Sequence, residues 1–324
     1  MNDLNKKVAL IYNPAAGELR RNPELLGRVI RALSDQGIEP LCLGTEYGGH
    51  ATILAARAVA EGYQTVIVCG GDGTINEAAQ SLAGTNVAMA VWPGGTANIL
   101  ARELLLPDPP EEMAGLIAAG RTRTISLGRA VKPDGSWRRY FLLMAGIGLD
   151  ASVIDGVNLS LKKRAGIGAY LASSLNYLVR MPLTPFSIDF NGKSHESTFA
   201  VIANASRYAI WFKLAPEARI DDDKLDICLF NSRSRLSYLR YVWLGLRGAH
   251  TTNPDVVYQQ SGRARANSNN EALVQLDGEV VGRLPMNFEI VPGALTVVAP
   301  DARMPGFMIA GITEKDESIS AFTH

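Results

Sequence analysis

A chain of 324 residues, 47% of them hydrophobic, is long enough for two ordinary domains, each with its own core. Its 32 Lys and Arg balance 32 Asp and Glu, so no overall field recruits nucleic acid or an anionic membrane, and any basic patch must be local. Three scattered cysteines, Cys42, Cys69 and Cys228, argue against a disulfide framework or a Cys-x-x-Cys metal site and for a reducing cytoplasm.

The N-terminus is polar and runs straight into a strand, so no signal peptide is expected. No apolar run approaches the ~20 residues of a membrane span. Residues 8–12 form a short buried-type strand, and Leu25, Leu26, Val29, Ile30 and Leu33 then fall on one helical face. A weaker strand at 38–43, an alanine-rich helix at 50–61 and a strand at 66–69 follow. A helix after Thr74, a strand at 87–91, a helix at 97–105 and one more helix to about Gly120 complete the series. This βαβα order predicts a parallel sheet covered on both faces.

From about Thr122 the texture becomes strand-rich. Candidate strands lie at 124–130, 140–145, 186–190, 199–204, 225–230, 273–276, 287–291 and 295–298. Hairpin-length connections predict an antiparallel sandwich or distorted barrel, interrupted by helices at about 165–180 and 236–248. The expected organisation is an α/β domain over residues 1–122 and a β-rich domain over 123–299, with a polar, frayed end at 313–324.

The chemistry concentrates at two glycine turns. Thr65-Val-Ile-Val-Cys-Gly-Gly-Asp-Gly-Thr-Ile-Asn-Glu77 is a strand–turn–helix junction, which aims backbone N–H groups and a helix N-terminus at one point and favours an anion. Val87-Ala-Met-Ala-Val-Trp-Pro-Gly-Gly-Thr-Ala-Asn98 repeats the arrangement, and on a neighbouring parallel strand it would complete a phosphate cradle. Neither turn is a P-loop or a Gly-x-Gly-x-x-Gly fingerprint. Asp72 is the odd element, because a carboxylate beside phosphates repels them unless a cation such as Mg²⁺ intervenes. Its bland alternative is a cap on the following helix.

Four further features carry two readings each. Asp277-Gly278-Glu279, between alternating apolar runs, is a strong hairpin signal and also places two carboxylates at a strand end. Asp221, Asp222, Asp223 and Asp226 form either a solvated acidic turn or an oxygen-ligand loop for a hard cation. Asn13-Pro14 is a ready-made turn or a polar contact at the cleft, and Thr96, opening a helix after Gly94-Gly95, is placed to reach a phosphate. Basic residues flank the aromatic run Tyr238, Tyr241 and Trp243, which suits either a packed helix with solvated arginines or a contact with an anionic bilayer.

Asn13-Pro14, Gly70-Gly-Asp-Gly-Thr-Ile-Asn-Glu77, Pro93-Gly-Gly-Thr-Ala-Asn98 and Asp277-Gly278-Glu279 together resemble the diacylglycerol kinase catalytic-domain superfamily, which includes sphingosine and ceramide kinases and bacterial soluble lipid kinases. The resemblance spans nearly the whole chain. It implies an NAD-kinase/diacylglycerol-kinase-like α/β domain, to which the segment 300–312 returns, plus a mainly antiparallel β-sandwich domain. It implies ATP and Mg²⁺ as cofactors, with the nucleotide on Asn13, Thr45, Gly70, Gly71, Asp72, Gly73, Thr74, Asn76, Gly94, Gly95 and Thr96. Asp277 takes the role of base by motif match, with Glu279 helping at the metal or in positioning and Asp72 the competing base.

The resemblance further implies a structural Mg²⁺ held by the Asp222 carboxylate and the carbonyls of Arg219 and Lys224. Departures from the pattern are Ala15-Ala16 before Gly17, Ile99 and Ser126 where relatives carry aspartate, and Asp223 in place of glycine. The implied function is an ATP- and Mg²⁺-dependent lipid kinase acting on a diacylglycerol-like lipid in the cytoplasm, at the inner membrane face. The alternatives are a kinase of a soluble polyol or NAD, and a nucleotide-binding regulator with impaired catalysis.

Overall fold

The computed structural model describes residues 7–148, 183–207, 214–232, 234–269 and 272–300. The helix expected at 165–180 and nearly all of the segment 300–312 lie outside them. Four strands, β1 (Val8–Tyr12), β2 (Leu41–Gly44), β3 (Thr65–Gly70) and β4 (Ala88–Pro93), pair in parallel in the order β2-β1-β3-β4. All six residues of β3 are buried, because strands covered on both faces need a continuous apolar run rather than alternation. Around them run α1 (Gly17–Arg21), α2 (Glu24–Ser34), α3 (His50–Ala60), α4 (Asp72–Leu82), α5 (Ile99–Glu103) and α6 (Pro110–Ala118). In α2, Leu25, Val29 and Leu33 of the stripe read from the sequence are buried, joined by Ala32, while Leu26 and Ile30 flank them half-buried.

The parallel sheet does not stop at the strand-rich half. β16 (Met286–Val298) pairs in parallel with β4 through Val297 and Met89, and antiparallel with β5 (Thr122–Val131). The two strands expected at 287–291 and 295–298 are one strand, interrupted by a bulge between Val291 and Leu295. One ten-stranded sheet therefore continues through β13 (Arg263–Asn267), β8 (Phe186–Phe190) and β9 (Lys193–Ser197), with β6 (Arg138–Phe141) paired to β5.

A second, six-stranded antiparallel sheet has the order β12-β11-β10-β7-β14-β15. Its strands are β7 (Met144–Gly148), β10 (Phe199–Ala203), β11 (Leu225–Phe230), β12 (Val256–Ser261), β14 (Leu273–Leu276) and β15 (Glu279–Arg283). Phe141, Ile188, Met286 and Phe288 from the first sheet meet Ile147, Ile202, Ile227 and Leu229 from the second, which makes a sandwich core. Val201, Cys228 and Phe230, on the opposite face of the second sheet, join the larger core with Tyr238 and Tyr241 of α7 (Arg235–Leu246). The chain thus has an N-terminal α/β unit with a mainly parallel sheet and a C-terminal antiparallel sandwich, as the sequence predicts.

Candidate active site

The two glycine turns lie at the carboxyl ends of adjacent strands, with Gly70 in register with Pro93. Gly94 N donates to Gly70 O at 3.0 Å. A Cβ built on Gly95 would stand 2.5 Å from Gly71 Cα, and one on Gly94 would stand 3.1 Å from Gly70 N. Backbone touches backbone at Gly95, which admits no side chain, and at Gly94 a side chain would fit only if Gly70 gave way by a few tenths of an ångström. Gly71 is the extended N-cap of α4, and Gly73 in its first turn is exposed with open space around the position of a Cβ. The product is one concave backbone surface over a helix N-terminus, suited to an anion such as phosphate.

Neighbouring residues brace this surface. Asn13 N continues the β1–β3 ladder to Cys69 O at 3.0 Å, and its Nδ2 donates to Thr74 Oγ1 at 3.0 Å. Asn98, in the left-handed conformation (φ 48°), accepts Gly95 N at 2.9 Å and donates Nδ2 to Gly95 O at 3.2 Å. Thr96 is exposed, and its Oγ1 accepts Arg21 Nη2 at 3.3 Å. Thr45 lies further along the same edge, where its N–H donates to Tyr12 O at 2.8 Å.

Asp72 caps a helix, but not its own. Its Oδ1 accepts the N–H groups of Ile99 at 2.8 Å and Leu100 at 3.4 Å, which open α5. Ile99 therefore meets Asp72 through its backbone. Burial pushes the Asp72 carboxyl up, against the pull of those N–H donors.

Asp277 and Gly278 form a two-residue hairpin turn between β14 and β15, both at positive φ (48° and 87°), with Leu276 opposite Glu279. The turn aims the Asp277 carboxylate inward. Its Oδ1 accepts Leu143 N and Met144 N, each at 2.9 Å. Its Oδ2 accepts Leu142 N and Asn76 Nδ2, each at 2.7 Å. Four donors fill the lone pairs of the carboxylate. Asp277 is part-exposed as a residue, while its carboxylate is enclosed by these donors, and burial pushes the carboxyl up against their combined pull. This shelf is also why the strand expected at 140–145 appears as two, β6 and β7: Leu142 and Leu143 turn their N–H groups to Asp277.

The glycine turns and Asp277 are joined through α4. Asn76 Oδ1 accepts Gln80 Nε2 at 3.1 Å and Arg139 Nη2 at 3.3 Å, and Arg139 Nη2 also meets Glu279 Oε2 at 2.7 Å. The site thus brings together Asn13, Gly70, Gly71, Asp72, Gly73, Thr74, Asn76, Gly94, Gly95, Thr96, Asp277 and Glu279. Gln80, Arg139 and Arg21 were not anticipated. Gln80 was findable, since it lies one helical turn beyond Asn76 on the same face. Arg139 and Arg21 carry no local signal.

The acidic loop is a separate feature. Ser126 Oγ donates to Asp222 O at 2.5 Å, Asp222 N to Arg219 O at 3.4 Å, and Lys224 N to Asp222 Oδ1 at 3.1 Å. Asp221 takes Arg219 Nε at 3.2 Å and lies 3.8 Å from Arg123. Burial raises the Asp222 carboxyl, and repulsion from Asp223 and Asp221 adds to this against the Lys224 N–H. A divalent cation on Asp222 would reverse that surplus, so the donor set fits one in charge. Among the described residues no cluster of three His, Cys, Asp or Glu side chains could hold a metal, so carbonyls would have to complete such a site.

Comparison with known proteins matches the same layout. Residues 7–130 fit the family model of the diacylglycerol kinase catalytic domain, and residues 144–299 that of the YegS C-terminal NAD kinase beta sandwich-like domain. Residues 7–130 thus carry a diacylglycerol kinase catalytic domain, and the two matches in tandem make the chain similar to that superfamily over both halves. The interval between the two models contains β6 and the Leu142-Leu143 shelf. Diacylglycerol kinases of Staphylococcus aureus strains MRSA252 and Newman are 29% identical over 303 residues, spanning 92% of this chain and 94% of theirs. A solved structure of a diacylglycerol kinase candidate from Bacillus anthracis str. Sterne superposes with a TM-score of 0.75 at 25% identity, over 94% of this chain and 99% of that one. A further diacylglycerol kinase structure from the same organism, 24% identical, shares the fold with a TM-score of 0.69 over 92% and 98% of the two chains.

Proposed function

We propose that this protein, a lipid kinase, transfers the γ-phosphoryl group of ATP, with Mg²⁺, to a hydroxyl of a diacylglycerol-like or related lipid. The observation that carries the reading is the contact between the glycine cradle and the carboxylate hairpin, made by the 2.7 Å bond from Asn76 to Asp277. It sets a phosphate-binding surface and a proton acceptor one helical turn apart.

In this reading residues 1–122 carry the nucleotide, on the N–H groups of Gly71 to Thr74 and of Thr96, with Asn13 and Thr45 alongside and the Gly95 N–H held by Asn98. Residues 123–299 carry the lipid. Asp72, the carboxylate within the cradle, would hold Mg²⁺, which would supply neutralisation of the phosphate charge. Asp277 receives the proton of the attacking hydroxyl. Three of its four donors are fixed backbone N–H groups, and only Asn76 can rotate away. The substrate hydroxyl therefore takes the place of the Asn76 amide on Oδ2. Glu279, held by Arg139, positions that exchange. Asp72 is the weaker base, because its Oδ1 is committed to α5. Asp222 and the carbonyls of Arg219 and Lys224 would hold a second, structural cation.

Among the described residues no helix is long and apolar enough to cross a membrane. The reading has the protein meet its lipid from the cytoplasm at the inner membrane face. Trp243, 55% exposed on α7 with the Arg247 guanidinium 4.7 Å above its ring, suits such a contact.

The test is transfer of labelled phosphate from ATP to a panel of extracted lipids, with glycerol and NAD as competing acceptors. Label entering one lipid class, and neither competitor, is the expected result; label in NAD or glycerol would sink the lipid assignment. A second reading, a nucleotide-binding regulator, is favoured by Ile99 and Ser126 in place of acids and by the filled lone pairs of Asp277. ATP binding with no acceptor labelled would select it.

A further inference from the structure

The loop between β2 and α3 carries an aromatic surface that the chemistry above does not use. Tyr47 and His50 stack with ring centroids 4.5 Å apart and planes within 2° of parallel. Glu46 N donates to His50 Nδ1 at 3.2 Å and His50 N donates to Tyr47 O at 3.2 Å, so the pair is held by its own loop. Tyr47 nevertheless remains 57% exposed, and Ile53, one helical turn beyond His50, is 54% exposed. A ring held in one orientation by a stack on one face, with its other surface open to water, offers a place for a further flat group to stack.

The position of the stack says which group. Thr45, Glu46 and Tyr47 rise from the carboxyl end of β2, the same edge of the sheet that carries the glycine cradle between β3 and β4. In the order β2-β1-β3-β4 the loop is about two and a half strand spacings from the cradle, or roughly 12 Å. A second path agrees. Ala51 N donates to Glu77 Oε2 at 3.2 Å and Thr52 Oγ1 to Glu77 O at 2.8 Å, which docks the start of α3 beside the second turn of α4. Packed helix axes lie about 8–10 Å apart. The α3–α4 contact keeps the loop before α3 on the cradle's side, and the sheet spacing matches the reach of a nucleoside polyphosphate from its terminal phosphates to its base, laid along the sheet edge over β1. Resting on the nucleotide reading above, we infer that Tyr47, backed by His50, is the stacking platform for the nucleobase.

Aromatic stacking of a base needs only a π-face, so this platform accepts a purine without hydrogen-bond readout. Selectivity for the sugar or base edge would have to come from other groups. The test separates base from phosphate. The intact protein, with Mg²⁺ present, is titrated calorimetrically with ADP and, separately, with inorganic tripolyphosphate, as wild type, Tyr47→Ala and Tyr47→Phe. Stacking of one base predicts that Tyr47→Ala weakens ADP roughly 5- to 150-fold and leaves tripolyphosphate unchanged, with Tyr47→Phe within about twofold of wild type for both. Unchanged ADP affinity in Tyr47→Ala overturns the platform, as does equal weakening of both ligands, which would make the loop a support for the cradle. Wild type that binds tripolyphosphate as well as ADP also overturns it, with the cradle standing. Wild type that binds neither removes the cradle itself and the platform with it.

Discussion

Asp277→Asn separates three roles for one residue, and the structure gives a different outcome for each. The substitution keeps size and turn preference, since asparagine adopts positive φ as readily as aspartate. It replaces one acceptor oxygen by an NH₂ group in a site where all four partners donate. If the NH₂ faces Leu143 and Met144, two backbone N–H groups lose their acceptor. If it faces Leu142 and Asn76, one N–H is lost and Asn76 must flip, which breaks its bonds from Gln80 and Arg139. The second arrangement orphans one backbone N–H instead of two, at about 1–3 kcal/mol for Leu142, with the lost Gln80 and Arg139 bonds added to it. Relief of burying a charge offsets part of that cost, because burial holds the Asp277 carboxyl above its ordinary range. The melting temperature should therefore fall by a few degrees, and kcat by at least ~100-fold through loss of the proton acceptor. The sign of the pH dependence follows from the same burial. Activity requires the ionised form, so the acid limb of kcat/KM should lie above the ordinary aspartate range and vanish in the variant. Steady-state kinetics across pH with parallel thermal melts decides. A loss of activity below tenfold, with or without a fall in melting temperature, refutes Asp277 as base.

Three further expectations test the rest of the site. Gly95→Ala forces a Cβ to within 2.5 Å of Gly71 Cα, so the two turns must separate; ATP binding should be lost by isothermal titration, and binding at wild-type strength would show that the turns need not touch. Asp72→Ala should cost about 0.5–2 kcal/mol as a lost cap on α5, read by denaturant melts, whereas Asp72→Asn can keep the Ile99 bond. Both variants should lose on the order of a thousandfold in rate if the carboxylate holds the phosphate-bound cation, and near-normal turnover in Asp72→Asn would reduce the residue to a cap. Burial pushes the thiols of Cys69 and Cys228 up to about 12, while Cys42 is exposed. Iodoacetamide at pH 8 should therefore label Cys42 alone in the native protein, and mass spectrometry showing modified Cys69 would contradict the packing of β3.

The parts of the fold that could be read in advance are those where burial sets the period. β1, β3 and β4 are continuous apolar runs because both faces are covered, and α2 shows a single stripe because one face is. β13 went unread because its sequence, Arg-Ala-Arg-Ala-Asn, turns only Ala264 and Ala266 into the core. β9 is similarly polar, β12 (Val-Val-Tyr-Gln-Gln-Ser) buries only its two end residues and so shows no alternation, and α1, at five residues, is too short to show a period. The glycine turns were legible because glycine has few reasons to recur at two strand ends. Their braces were not: Asp72 acts on α5, 27 residues away, and Asn76 meets Asp277 across 201 residues. Such pairs are made by topology, and one sequence holds no trace of them.

The hairpin and catalytic readings of Asp277-Gly278 looked like alternatives because local sequence treats a turn as an end in itself. In the folded protein the turn conformation is what points the carboxylate at the Leu142–Met144 shelf, so in the proposed reading the structural role is the means of the chemical one. The same logic applies to Asp72, whose bonds to α5 fix the second glycine turn beside the first. Each carboxylate is held by backbone N–H groups supplied by a different element, so neither can be moved by rotating a side chain. Asn76 is the exception: it alone bridges the cradle and the hairpin through a rotatable amide. A substrate hydroxyl that displaced it would meet Asp277 at its one exchangeable bond, with the cradle a helical turn away.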